Sequence, residues 1–198
     1  MDNDNLFRLI LFLSLLLIVP VTLYHRLKAH RPGERLNRRE EGWLILLTLR
    51  PMGLATIVGL TAYIIQPSSM AWSALALAPW IRWVGVGLGL ISTVLFIWTL
   101  RTLGNNLTDT VVTRQVHTLV THGPYAWVRH PFYSSFGLLM VANGITAANW
   151  FILLTGAATF GLLTIRCRRE EENLVSRFGD EYRNYMRQTG RFVPKVSL

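Results

Sequence analysis

Apolar positions in this chain gather into long blocks instead of alternating with polar ones. Leu6 to Tyr24 is a nearly uninterrupted apolar run of 19 residues, close to the ~20 that cross a bilayer. Its leader, Met1-Asp-Asn-Asp-Asn5, is acidic, and no small-residue cleavage site follows, which predicts a retained anchor and not a signal peptide. A second block runs from Trp43 to Ile65 and a third from Trp80 to Leu100, each opening on a tryptophan suited to the membrane interface. Phe132 to Ile165 then gives 34 residues without a charge. As one straight helix this stretch would reach about 51 Å, far beyond the ~30 Å hydrocarbon core. The polar interruption from Asn143-Gly144 to Asn149 divides it into Val128–Ala147 and Ala148–Arg168, joined by a tight turn. The pattern predicts an all-α integral membrane protein with about five transmembrane helices.

Composition sharpens this reading. Only 16% of the 198 residues are charged and 51% are hydrophobic, against about 25% charged in a soluble domain. From Gly42 to Ile165 the only acid is Asp109 and the only basic residues are Arg50, Arg82, Arg101, Arg114 and Arg129. A water-soluble surface could not be solvated by so few charges. The apolar content excludes disorder, and the single cysteine, Cys167, excludes a disulfide scaffold. No repeat or low-complexity tract is evident, so residues 1–198 are expected to form one membrane domain.

The net charge of +9 would ordinarily raise nucleic acid as a partner, but the distribution argues for a membrane instead. The Arg26–Arg39 loop holds six basic residues, the Arg101–Arg129 loop three, and the tail from Arg166 eight. The segments Met1–Phe7, Gln66–Pro79 and Gly144–Asn149 hold none. By the positive-inside rule the N-terminus is expected outside, and the C-terminus in the cytosol together with the polar chemistry. Arg50-Pro51 falls inside the second span, where the arginine is expected to snorkel and the proline to kink the helix.

Two polar places can carry chemistry. The segment from Asn105 to His130 contains His117, His122, His130, Asp109, Tyr125 and Arg129. The histidine spacing, H-x4-H-x7-H, matches no compact zinc pattern, so no metal is expected and interfacial histidines are the simpler reading. No phosphate loop, nucleophile elbow or dinucleotide fingerprint is present. The second place is Arg166-Cys-Arg-Arg-Glu170-Glu171-Glu172-Asn-Leu174, where the last span emerges. There Arg166 and Glu170 lie one helical turn apart on one face, as an exposed ion pair also would. Leu174, Phe178 and Gly179 predict an apolar contact and a glycine stop. Asp180 is expected to cap a short helix whose Tyr182 and Tyr185 act as interfacial anchors.

At these two places the sequence resembles the isoprenylcysteine carboxyl methyltransferase family of membrane enzymes. The matching text is His117-Thr-Leu-Val120, Gly123-Pro-Tyr125-Ala-Trp127 and Arg129-His130-Pro131-Phe-Tyr133. It continues with Arg166-x-x-x-Glu170-Glu171-x-x-Leu174 and Phe178-Gly179-x-x-Tyr182-x-x-Tyr185. The resemblance covers His117 to Pro194; the first three spans match only as apolar helices.

The resemblance implies a methyltransferase core over residues 105–198 with a cytosolic cofactor-binding cap. It implies S-adenosyl-L-methionine as cofactor, bound by His117, Thr118, Leu119, Val120, Tyr125, His130, Pro131, Phe132, Tyr133 and Glu170. Arg166 would hold the carboxylate of an isoprenylcysteine or similar membrane amphiphile entering from the bilayer. Ser135 stands where the family has glycine, and Gln115 is out of register with the family's cofactor-binding glutamine.

An ionised carboxylate attacking an activated methyl group needs neither base nor metal, and the sequence offers no convincing candidate for either. In-line positioning and exclusion of water are what such an enzyme must supply. Pro131 suits the first turn of a helix and leaves Arg129-His130 free to be non-helical. The alternatives are a phospholipid N-methyltransferase, for which His122 or His130 would need an orienting partner, a sterol-reductase relative, and a non-catalytic membrane scaffold.

Overall fold

A computed structural model describes residues 3–29, 43–104 and 118–195. The described residues form six helices: α1 (Asn3–Ala29), α2 (Trp43–Ile65), α3 (Pro79–Leu103), α4 (Pro131–Ala147), α5 (Trp150–Phe178) and α6 (Asp180–Gln188). Two short 3-10 turns, Pro67–Ser73 and Gly123–Ala126, complete them. The all-α membrane architecture agrees with the apolar pattern. Helices α1, α2, α3 and α5 are long and apolar enough to cross a membrane. The fifth, α4, has 17 residues, about 26 Å of helix, which is short of the hydrocarbon thickness. It packs against α3 on one side and α5 on the other, and most of its residues are buried. Its apolar residues therefore serve helix packing more than lipid contact.

The predicted turn within the uncharged stretch forms at Ala148, in the left-handed region at φ 49°. Asn149 fixes the turn from both ends. Its Oδ1 accepts from the Ile152 backbone N–H at 3.1 Å, capping α5. Its Nδ2 donates to Ser73 Oγ at 2.8 Å and ties the turn to the 3-10 segment after α2. Close approach of α3 to α4 requires Gly85, where a Cβ would lie 2.7 Å from Thr146 Oγ1 and 2.8 Å from the Thr146 backbone nitrogen.

The same end of the bundle uses two arginines that the loop charge count does not include. Arg8 Nη2 donates to the Ile64 carbonyl at 2.7 Å and to that of Ile65 at 3.2 Å, capping α2. Arg82 is buried, donating to the Thr146 carbonyl and to the Tyr63 hydroxyl, each at 3.0 Å. It pairs with Asp4 and lies 4.0 Å from the Phe7 ring centroid. Arg50, by contrast, is exposed on α2, which runs on through Pro51.

At the other end, the apolar part of α5 finishes at Ile165 and the helix continues as a polar arm, Arg166–Phe178. Gly179, at φ 54°, terminates it where the sequence places a glycine stop. Asp180 does not cap the next helix. Gly179 occupies the cap position of α6, and Asp180, in the first turn, accepts from Arg183 Nη1 at 2.9 Å.

Candidate active site

Pro131 begins α4 as its first helical residue, and His130 before it stays non-helical at φ −125°, ψ 59°. Its lack of an N–H makes proline costless there. The backbone freed before it is taken up by the C-terminal tail. The Arg129 N–H donates to the Gly190 carbonyl at 2.9 Å, and that of His130 to the Arg191 carbonyl at 3.1 Å. Val128 and Gly190 form a parallel bridge, and Ser134 Oγ donates to the Phe192 carbonyl at 2.6 Å. Gly190 has no substitute in this position, since a Cβ would sit 1.9 Å from the Val193 carbonyl oxygen.

Beneath this pairing lies the polar arm of α5. Glu171 is buried, at 4% exposure, and both its oxygens are used. Oε1 accepts from Arg129 Nε at 2.9 Å and lies 3.2 Å from His130 Nε2, while Oε2 accepts from Arg191 Nη2. Burial opposes ionisation of Glu171, but the hydrogen bonds from His130, Arg191 and Arg129 outweigh it and hold its carboxyl below the usual range. The same contact with Glu171 raises the Arg191 guanidinium above its ordinary value. Arg129 also donates through Nη1 to the carbonyls of Met186 (3.2 Å) and Thr189, so it fastens α6 as well.

On the adjacent residue of α5, Glu170 Oε2 accepts from the Tyr133 hydroxyl at 2.7 Å. Tyr133 stacks on His130, with ring centroids 5.6 Å apart and planes 13° from parallel. The R-H-P-x-Y and R-x-x-x-E-E strings, separate in sequence, thus share one polar node. Arg166 is half-buried one turn before Glu170 on α5.

The other expected site residues fall in three groups. Tyr125, His130, Pro131 and Tyr133 are buried. Leu119 and Val120 are half-buried and Thr118 is exposed, while His117 and Gln115 lie outside the described residues. Phe132 turns instead toward α3, 5.2 Å from the Phe96 ring and 6.4 Å from Phe136. Ser135 is buried and folds back on its own helix, donating to the Pro131 carbonyl at 2.7 Å. Its carbonyl accepts from Ser92 Oγ of α3 at 2.8 Å, so this position tightens the contact between α3 and α4.

Several expectations need correction. Tyr182 and Tyr185 are not interfacial anchors, with exposures of 1% and 8%. Tyr185 donates to the Tyr125 carbonyl at 2.6 Å, and burial pushes both phenols up. His130 is a buried residue with a carboxylate partner, not a solvated interfacial histidine. Sequence reasoning missed Glu171, Gly190, Arg191 and Phe192 as parts of this node. Two signals could have found the first: its place beside Glu170 in the matched R-x-x-x-E-E string, and its position four residues after Cys167 on the face that α5 buries.

His130, Cys167 and Glu171 also bring one nitrogen, one sulfur and one oxygen within 4.8 Å of one another, all buried. Such a trio has the chemistry of a soft divalent-metal site. Here, however, both oxygens of Glu171 face guanidinium groups, whose positive charge opposes a cation.

Comparison with known proteins bears on the family resemblance and the fold. Residues 85–176 match the model described as the isoprenylcysteine carboxyl methyltransferase (ICMT) family, which bears out the resemblance carried by the motif strings. A protein-S-isoprenylcysteine O-methyltransferase of Tribolium castaneum is 30% identical over 120 residues, 59% of this chain and 43% of that protein. Its Rattus norvegicus counterpart is 27% identical over 145 residues, 71% of this chain and 51% of that protein. The chain therefore spans about half the length of these curated relatives. The fold is similar to the solved eukaryotic intramembrane Ras methyltransferase ICMT. The TM-score is 0.56 at 23% identity, covering 95% of this chain and 73% of that one.

Proposed function

We propose that this chain transfers a methyl group from S-adenosyl-L-methionine to the carboxylate of an isoprenylcysteine or a similar membrane amphiphile. The observation that carries the reading is the Tyr133–Glu170 hydrogen bond of 2.7 Å, which joins the two motif strings in one half-buried site. The names of the relatives and the family match support the same reaction class. They imply a methyl donor, and the donor set here fits S-adenosyl-L-methionine. Glu170 offers acceptors for amino or hydroxyl groups, and the stacked His130 and Tyr133 rings offer an aromatic wall. The enclosed Tyr182 hydroxyl has no hydrogen-bond partner among the described residues and leaves a donor for a ligand.

When bound, the cofactor supplies a methyl group already activated on a sulfonium. The chain's own residues then have two tasks. Glu170, Tyr125, His130, Pro131 and Tyr133, with His117–Val120 from the flanking sequence, hold the cofactor. Arg166 holds the acceptor carboxylate, which its planar fork can grip bidentately. A carboxylate is ionised at neutral pH and needs no base, so excluding water and aligning the acceptor are sufficient protein contributions. No metal takes part in this reading. The positive-inside distribution of basic residues supports a cytosolic site and C-terminus with the N-terminus outside.

One observation favours a second reading. His130 has Glu171 as an orienting partner at 3.2 Å, which is what a base for an amine acceptor would require. Its commitment alongside two arginines favours a structural role, and the acceptor decides. The purified protein, given methyl-labelled S-adenosyl-L-methionine with farnesylcysteine or with phosphatidylethanolamine, should label the farnesylcysteine. Labelling of the amine lipid alone would overturn carboxyl methylation, and labelling of neither would favour the scaffold.

A further inference from the structure

We infer that Glu171 is a positioning residue for cofactor binding, acting through His130 and Arg129, and that the C-terminal tail at Gly190–Phe192 is the brace that completes it. The inference rests on the methyl-transfer reading above and assigns residues which that reading does not use.

A turn that must stay non-helical ahead of Pro131 cannot bond to its own helix, so its N–H groups need partners elsewhere. Here the tail supplies them, through the carbonyls of Gly190 and Arg191. That pairing alone leaves the side chains free to rotate. Glu171 removes the freedom: one carboxylate, itself fixed on the rigid α5, accepts from Arg129 Nε at 2.9 Å and holds His130 Nε2 at 3.2 Å. Arg191 meets its other oxygen and so fastens the tail to the same point. The His130 ring is thereby kept parallel to Tyr133, whose hydroxyl in turn orients Glu170. Phe192 closes the far side of the imidazole, with centroids 6.0 Å apart, and rests on Phe160 at 6.1 Å. Every link from Glu171 to Glu170 is thus a direct contact between buried or half-buried groups. Binding geometry of this kind depends on what holds the contacting residues as much as on those residues themselves.

A merely structural salt bridge would lower stability without changing cofactor affinity in the molecules that remain folded. The two roles separate when full-length protein in detergent is studied by direct binding of labelled S-adenosyl-L-methionine alongside thermal unfolding. Glu171→Gln should weaken cofactor binding about tenfold in the folded fraction, while Glu171→Asp should recover part of the loss. Arg191→Gln, a change on the half-exposed tail with little folding risk, should weaken binding in the same direction. The double variant should be no worse than Glu171→Gln alone, because both act through one node. Unchanged affinity in Glu171→Gln and in Arg191→Gln, with wild type binding normally, overturns this inference alone. Fully additive losses in the double variant overturn the coupling. Failure of wild type to bind the cofactor at all overturns the methyl-transfer reading and this inference with it.

Discussion

The Tyr185 hydroxyl donates to the backbone carbonyl of Tyr125 at 2.6 Å, tying α6 to the 3-10 turn that opens the site. Both groups are buried, so removing the hydroxyl leaves a carbonyl without its donor. Tyr185→Phe should cost about 1–2 kcal/mol. Thermal unfolding in detergent should show a Tm lower by roughly 4 °C for a chain of this size. An unaltered Tm would count against the contact.

The Tyr133–Glu170 contact separates two roles that the sequence places on one helix face. Glu170→Ala should weaken S-adenosyl-L-methionine binding, whereas Arg166→Ala should mainly raise the KM for the lipid acceptor. Tyr133→Phe leaves Glu170 in place without its donor at 2.7 Å and should weaken cofactor binding several-fold, by about the worth of one charge-assisted hydrogen bond. Equal cofactor affinity in wild type and Glu170→Ala would remove Glu170 from the site.

How much of this was legible depends on the range of each interaction. The spans follow from local composition, and α2 occupies Trp43–Ile65 as the apolar block predicts. Pro131 at the start of α4 and Gly179 at the end of α5 were equally readable, since each acts within one helical turn. The partner of His130 was not readable. Glu171 lies 41 positions away, and Arg191 approaches through an irregular tail with no periodicity to announce it. Tyr182 and Tyr185 misled for a related reason. A short helix carrying two tyrosines and two arginines behind an acidic first turn reads as an interfacial element, and only its packing under the Arg129 side chain turns that aromatic face inward.

Helix contact on the opposite side of the bundle offers an independent check on the fold. At Gly85 an added Cβ would fall 2.8 Å from the Thr146 backbone nitrogen, where no side-chain rotation can relieve it. Gly85→Ala should therefore force α3 and α4 apart and destabilise the protein by about 1–3 kcal/mol. Gly87→Ala, with nothing within 4 Å of the new Cβ, should leave the Tm at or slightly above that of wild type. Similar effects from the two substitutions would contradict the packing.

The trio His130, Cys167 and Glu171 gives a prediction about metal. If the carboxylate is committed to Arg129 and Arg191, added Co2+ should produce no thiolate-to-metal absorption band, and cofactor binding should survive a strong chelator. A stoichiometric band that disappears in Cys167→Ala would establish a metal site in place of the ion-pair node.

Acid should dissolve that node in a defined direction. Glu171 is held below its ordinary value of 4.5 in the folded protein, so the folded state binds its proton less readily than the unfolded chain does. The stability it contributes is therefore complete above that ordinary value and is lost as pH falls toward the lowered one. Replacing the carboxylate leaves Arg129, at the heart of the cluster, without its buried counter-charge, a loss of about 3 kcal/mol where a buried pair is broken. Glu171→Gln should accordingly show a much lower Tm than wild type at neutral pH. The gap should narrow steadily once the pH drops through the ordinary carboxylate range, because protonation imposes on wild type what the substitution has already done. A gap that stays constant across that range would mean that Glu171 carries no charge in the folded protein, and the ion-pair node would have to be abandoned.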